Sequence, residues 1–147
     1  MARLVVFAPN WLGDSVMALP AIADVRRQFP EASLTIAARS RITPLFAMVP
    51  GIDGTVALDE EHASLPFDTA VLLPNSFHAA MHAWRAGVPE RWGYRTDWRG
   101  LLLTRAVEPP SSRADAVAVR APAPVHQVEY YQHLIRALGL SNPFPFP

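Results

Sequence analysis

Val6-Phe-Ala-Pro-Asn-Trp-Leu-Gly-Asp-Ser-Val-Met-Ala-Leu-Pro20 decides how the whole chain is read. It opens in an apolar run, Leu4 to Phe7, that stops at Pro9-Asn10. That is the pattern of a short buried strand closed by a turn. From Ser15 to Phe29 the period changes. Val16, Leu19, Ile22 and Ala23 fall near helical spacing, which makes most of one helix face apolar. Pro20 would be costly deep inside a helix, so it predicts either a distorted first turn or a second start at Pro20. Pro30 marks the stop.

Working outward, the same alternation repeats. Strands are expected at 34–37, 54–58, 70–73 and 91–95, and helices at 43–49, 76–86 and 125–138, with Gly139 as the last C-cap. Residues 108–124 are rich in Pro, Ser and Ala and read as an exposed loop. Strands alternating with helices predict an α/β fold: a Rossmann-like, mostly parallel sheet with flanking helices and the first strand central. Ligands of such sheets sit beyond the carboxyl ends of the strands. Three segments occupy that edge: 9–15, 74–78 and 94–100.

Composition narrows the chemistry. The chain has 147 residues, half of them hydrophobic, with 13 basic and 13 acidic side chains and no net charge. No global field draws it to nucleic acid or anionic lipid, so any anion site is a local cluster. All 13 basic residues are Arg. No Cys is present, which excludes disulfides, thiolate metal sites and a cysteine nucleophile. The N-terminal apolar run breaks at Asn10, Gly13 and Asp14, too early for a signal peptide, and no stretch approaches the roughly 20 apolar residues of a membrane span. A cytoplasmic protein is expected.

The first edge segment holds Asp14 at a helix start. Asp is a favoured N-cap, and the helix dipole favours negative charge there. The same carboxylate could serve as a general base toward a substrate hydroxyl. Trp11 reads first as a core aromatic, with sugar stacking as the alternative. In the second segment Asn75 or Ser76 would cap the next helix or hydrogen-bond a sugar. His78 and His82 share a helix face, but zinc needs a third ligand and none is evident, so no metal is expected. In the third, Arg91, Arg95 and Arg99 lie among Trp92, Trp98 and Asp97. Guanidinium groups grip phosphate or carboxylate in a bidentate manner, and an internal Arg–Asp97 pair is the bland alternative.

Taken in order, these stretches resemble glycosyltransferase family 9, the lipopolysaccharide heptosyltransferases, most nearly the heptosyltransferase II branch. The likeness is carried by residues 6–20, Val71-Leu-Leu-Pro-Asn-Ser-Phe77, Gly87-Val-Pro-Glu-Arg-Trp-Gly-Tyr94 and Leu101-Leu-Leu-Thr104, with His126-Gln-Val-Glu-Tyr-Tyr131 in support. The resemblance implies the N-terminal half of a GT-B enzyme, two Rossmann-like domains facing across a cleft. Residues 1–140 would form the acceptor-binding domain and 141–147 the start of an interdomain linker. It implies inverting transfer of heptose from ADP-heptose to an acceptor of the heptose-Kdo-lipid A type. Asp14 would be the catalytic base. Asn10, Trp11, Gly13 and Ser15 would line the acceptor end. Asn75, Ser76, Arg95 and Arg99 are assigned to the acceptor on chemistry alone.

The family's Asp-Ser-Gly…His segment near the donor sugar is absent from these residues. The donor ADP-heptose would be bound mainly by a missing C-terminal domain, so the chain alone is expected to be inactive. No further cofactor and no nucleic acid is implied, and at most peripheral contact is expected, at the inner face of the inner membrane. The region 59–68 is short where many relatives seem to have a helix. Three rivals remain. A dinucleotide-binding domain would need a Gly-rich turn after strand 1 and an acidic end to strand 2, where Ala38-Arg39 stands. A GT-B transferase for another sugar and a non-catalytic sugar-binding module stay open.

Overall fold

The computed structural model describes residues 2–59, 66–96, 99–109 and 123–139, with backbone only at 123–126. Six strands are present: β1 (Arg3–Phe7), β2 (Ser33–Ala38), β3 (Gly54–Ala57), β4 (Thr69–Leu72), β5 (Glu90–Tyr94) and β6 (Arg105–Val107). They form one sheet in the order β3-β2-β1-β4-β5-β6. Every pairing is parallel, with Val6 opposite Ile36 on one side and Val71 on the other. The expected central first strand is therefore observed.

Central parallel strands are covered on both faces, which is why β1 and β4 read as unbroken apolar runs. Along β1, Leu4 and Val6 enter one core and Val5 and Phe7 the other. The first core is closed by α1 (Leu12–Met17), α2 (Leu19–Gln28), α3 (Thr43–Ala47) and α5 (Ala123–Ala137), through Ala18, Ile22, Val25, Phe46, Leu134 and Ile135 among others. The second is closed by α4 (Phe77–Arg85) through Ala79, Ala80 and Ala83.

Pro20 does start a second helix. Ala18 ends α1, donating its N–H to Asp14 and Ser15 carbonyls, and is itself the N-cap of α2. Pro20 falls in the first turn of α2, where a missing N–H leaves no bond unmade. Gly139 follows α5 with φ +75°, the left-handed conformation that ends helices.

Two elements were not expected from sequence. Residues Arg99–Leu102 form a 3-10 turn with Leu101 almost fully exposed. The strand β6 is only three residues long, and its Arg105 is exposed. Most of the expected loop at 108–124, the short region 59–68 and the linker at 141–147 lie outside the described residues.

Candidate acceptor site at the carboxyl edge

The order in which strands are added reverses between β1 and β4, and ligands of open α/β sheets sit at that switch point. The loop after β1 and the loop after β4 meet there. A cleft of about 230 Å³ lies between them, with Asn10, Arg39, Asp59, Ser76, His78 and His82 among its lining.

Asp14 is not the helix cap. Trp11 holds that position, with extended backbone and no side-chain capping bond, and Asp14 sits in the first turn of α1. Its half-buried carboxylate has no hydrogen-bond or ion-pair partner among the described residues. A carboxylate left uncommitted at a helix N-terminus on the ligand edge can accept a proton from a bound hydroxyl. Behind it, burial pushes the Tyr131 hydroxyl up to about 12, and the nearby Asp14 charge adds to that rise.

Trp11 is not a core residue either. It is 65% exposed, with the Arg41 guanidinium 5.3 Å from its ring centroid. Arg41 also donates to the Asn10 carbonyl, so the loop is braced from β2's following segment. Gly13 is exposed and a Cβ there would meet nothing within 4 Å. Ser15 points inward instead: it is fully buried and its hydroxyl donates to the Pro9 carbonyl at 3.1 Å, closing the loop on itself. Asn10, Trp11, Gly13 and Asp14 are thus presented outward, whereas the Ser15 side chain is structural.

The other four candidates are mostly spent within the protein. Asn75 donates its amide to the Tyr130 hydroxyl at 2.7 Å, and its Oδ1 is buried without a partner among the described residues. The backbone supports the same junction, since Tyr94 donates its hydroxyl to the Tyr130 carbonyl. Ser76 is the N-cap of α4 and accepts from the Ala79 amide. Arg95 is exposed and pairs with Glu108 at 3.2 Å.

Arg99 overturns its assignment to the acceptor outright. It is fully buried, donating to the carbonyls of Tyr94, Pro74 and Ser76. Three carbonyls left over where strands end need donors, and one guanidinium supplies them. Arg91 likewise turns back onto Leu102 and Val88 carbonyls. Asp97 and Trp98 lie outside the described residues. Among those described, no three His, Asp or Glu side chains converge as metal ligands.

Arg39, Arg41 and Asp59 are at the site but were not singled out as binding groups. Each follows the carboxyl end of a strand, the same rule that drew attention to 9–15.

No family model matches the chain. Among curated proteins it is 28% identical over 116 residues to lipopolysaccharide heptosyltransferase 2 of Escherichia coli K12, covering 69% of this chain and 33% of that protein. In sequence the chain is similar to lipopolysaccharide heptosyltransferases. It spans about a third of the length of the curated heptosyltransferases it matches. Its fold superposes on E. coli ADP-heptose lipopolysaccharide heptosyltransferase II with a TM-score of 0.67 at 24% identity, covering 91% of this chain and 40% of that one. It also superposes on a glycosyl transferase family 9 protein from Veillonella parvula with a TM-score of 0.75 at 17% identity, covering 96% and 42%. The fold observed is the Rossmann-like parallel sheet found in these glycosyltransferase structures, which have the GT-B architecture.

Proposed function

We propose that the chain is the acceptor-binding, N-terminal half of an inverting heptosyltransferase that builds the inner core of lipopolysaccharide. The observation that carries this reading is Asp14: a carboxylate in the first turn of α1, at the ligand edge, outside any cap, ion pair or hydrogen bond among the described residues. In the proposed reaction a hydroxyl of a heptose-Kdo-lipid A type acceptor gives its proton to Asp14. The hydroxyl oxygen attacks the anomeric carbon of ADP-heptose from the face opposite the nucleotide. The bond to ADP breaks, and the product has inverted configuration. Donor binding falls to a C-terminal half that these residues do not contain, and residues 141–147 would lead toward it. Closure of the two halves would exclude water from the donor. The acceptor is lipid-linked, so work at the cytoplasmic face of the inner membrane is the proposed setting. Among the described residues no helix is long and apolar enough to cross a membrane.

The test joins this chain to the donor domain of a related heptosyltransferase and supplies ADP-heptose with the lipid-linked acceptor. The expected result is transfer by the unmodified chimera and a loss of roughly a hundredfold or more in Asp14→Asn, the scale of a general base. Equal transfer by both folded proteins would remove Asp14 from the chemistry. A folded chimera that binds saccharide with no transfer would leave the sugar-binding module, for which the exposed Trp11 beside Arg41 is the favouring feature.

A further inference from the structure

The helix α4 is apolar on more than its core face. Ala79, Ala80 and Ala83 are buried against the sheet. Phe77, Met81 and Trp84 fall at i, i+4 and i+7, which aligns them in a second stripe along a different flank. None of the three is buried: Phe77 is 42% exposed, Trp84 is 51% exposed and Met81 is half-buried. The 3-10 turn at Arg99–Leu102 packs against this helix, and Arg99 donates to the Ser76 carbonyl. That sets Leu101, 97% exposed, beside the start of α4. A helix with an aromatic outer flank and an exposed leucine beside it presents a surface that the sheet does not cover.

The charges along the stripe select what covers it. The helix contains no Asp or Glu, and its ionisable side chains are His78, His82 and Arg85. Arg85 is exposed and makes no hydrogen bond or ion pair among the described residues. It follows Trp84 directly, and the Trp84 ring has no aromatic or hydrogen-bond partner among them either. Such a pair suits the boundary between water and a bilayer. The indole lies among the headgroups with its N–H wet, while the guanidinium meets anionic phosphate. The other exposed apolar cluster, Trp11, Leu12 and Val16, belongs to α1 and so carries the Asp14 carboxylate, which an anionic surface repels.

Size also separates a lipid surface from a protein partner. Nine residues make about 13 Å of helix, so one flank with Leu101 offers on the order of 200 Å², against about 800 Å² per partner in a stable complex. A fluid bilayer needs no matched shape, and side chains that enter it bind by apolar area together with attraction to anionic headgroups. The chain carries no net charge, so the apolar stripe leads and one arginine assists. The stripe also begins where the cleft ends: Ser76 and His78 line the cleft, and Phe77 stands between them in sequence.

We propose that this flank of α4, together with Leu101, is the surface by which the chain lies on an anionic lipid bilayer. The inference rests on the reading of the acceptor as lipid-linked, and it names the face that meets the lipid.

The 147-residue chain is floated through a density gradient with two kinds of vesicle, a mixture of phosphatidylethanolamine and phosphatidylglycerol or phosphatidylcholine alone. Partition to the anionic vesicles is expected to be about fivefold stronger, the worth of one arginine near such a surface. The triple variant Phe77→Ser, Trp84→Ser, Leu101→Ser is expected to lower partition by roughly tenfold or more. Its melting temperature should hold, since all three side chains are exposed. Met48→Ser, which removes an exposed methionine at the end of α3 on the other face of the sheet, is expected to change neither. With brominated lipid the tryptophan fluorescence is expected to be quenched. The quenched part should vanish in Trp84→Phe, which keeps the flank apolar and still floats. The inference is overturned by no flotation, by equal partition to both kinds of vesicle, by flotation that persists in the triple variant, or by quenching that persists in Trp84→Phe. A dimer in solution that the triple variant dissolves would give the face to a second copy and overturn it as well. The vesicles contain neither acceptor saccharide nor donor, so an inactive chimera leaves this result untouched, and a chain that does not float leaves the proposed transfer to be judged in the chimera.

Discussion

Two segments at the same edge of the sheet, residues 9–15 and residues 94–102, contain similar residue types and use them in opposite ways. The first turns its chemistry outward. Trp11 and Gly13 are exposed, Asp14 is uncommitted, and the buried Ser15 is the pin that closes the loop onto the buried Pro9. The second turns its chemistry inward. Tyr94 and Arg99 are fully buried, and the Arg99 guanidinium ties the ends of β4 and β5 and the start of α4 together. An arginine beside aromatics is a binding signature only when nothing in the chain itself needs its donors. Where strand ends leave several carbonyls unpaired, the protein consumes the arginine first.

The largest effect that would sharpen this contrast is expected from Arg99→Met. It leaves three buried or half-buried carbonyls without their donor, and should lower unfolding free energy by about 3 kcal/mol or more in urea titrations. A loss under about 1 kcal/mol would mean that the buried arginine is not what holds the segment closed. Next comes Asp14→Asn in the chimera, with its loss of roughly a hundredfold in transfer. Its unfolding midpoint should stay close to that of the parent, because Asp14 neither caps a helix nor pairs. A large drop in stability would return it to a structural role.

Smaller again is Gly93→Ala. A Cβ there would lie 2.9 Å from an Arg99 nitrogen and 3.3 Å from the Leu72 side chain and carbonyl oxygen. Overpacking of this kind is expected to cost about 1–3 kcal/mol, read from the same titration. The smallest is its counterpart in the open segment. Gly13→Ala meets nothing within 4 Å and sits in a helical turn, so stability should rise by up to about 0.5–1 kcal/mol. Equal responses from the two glycines would erase the distinction between the open and the closed segment.

What could be read in advance follows from the same physics. The strands β1, β2 and β4 were legible because strands covered on both faces carry continuous apolar runs. The break at Pro20 was legible because proline has one cheap place in a helix. The strand β6 was not, since three residues at a sheet edge with an exposed Arg105 carry no periodicity. Within the site, Asp14 was found by its place after β1, but its freedom from capping depends on Trp11 taking the cap position. Arg99 was misassigned because sequence does not show which arginine faces three stranded carbonyls. Arg39 was available to the rule that found Asp14: it also follows a buried strand at the carboxyl edge.

The shared boundary at Ala18 has a consequence for how such a domain can diversify. Because one residue ends α1 and starts α2, the six-residue segment that carries Asp14 is mechanically separate from the ten-residue helix that seals the core. The Asp14 carboxylate rides on a short segment of its own. Substitutions there can re-aim it while the foundation beneath stays packed.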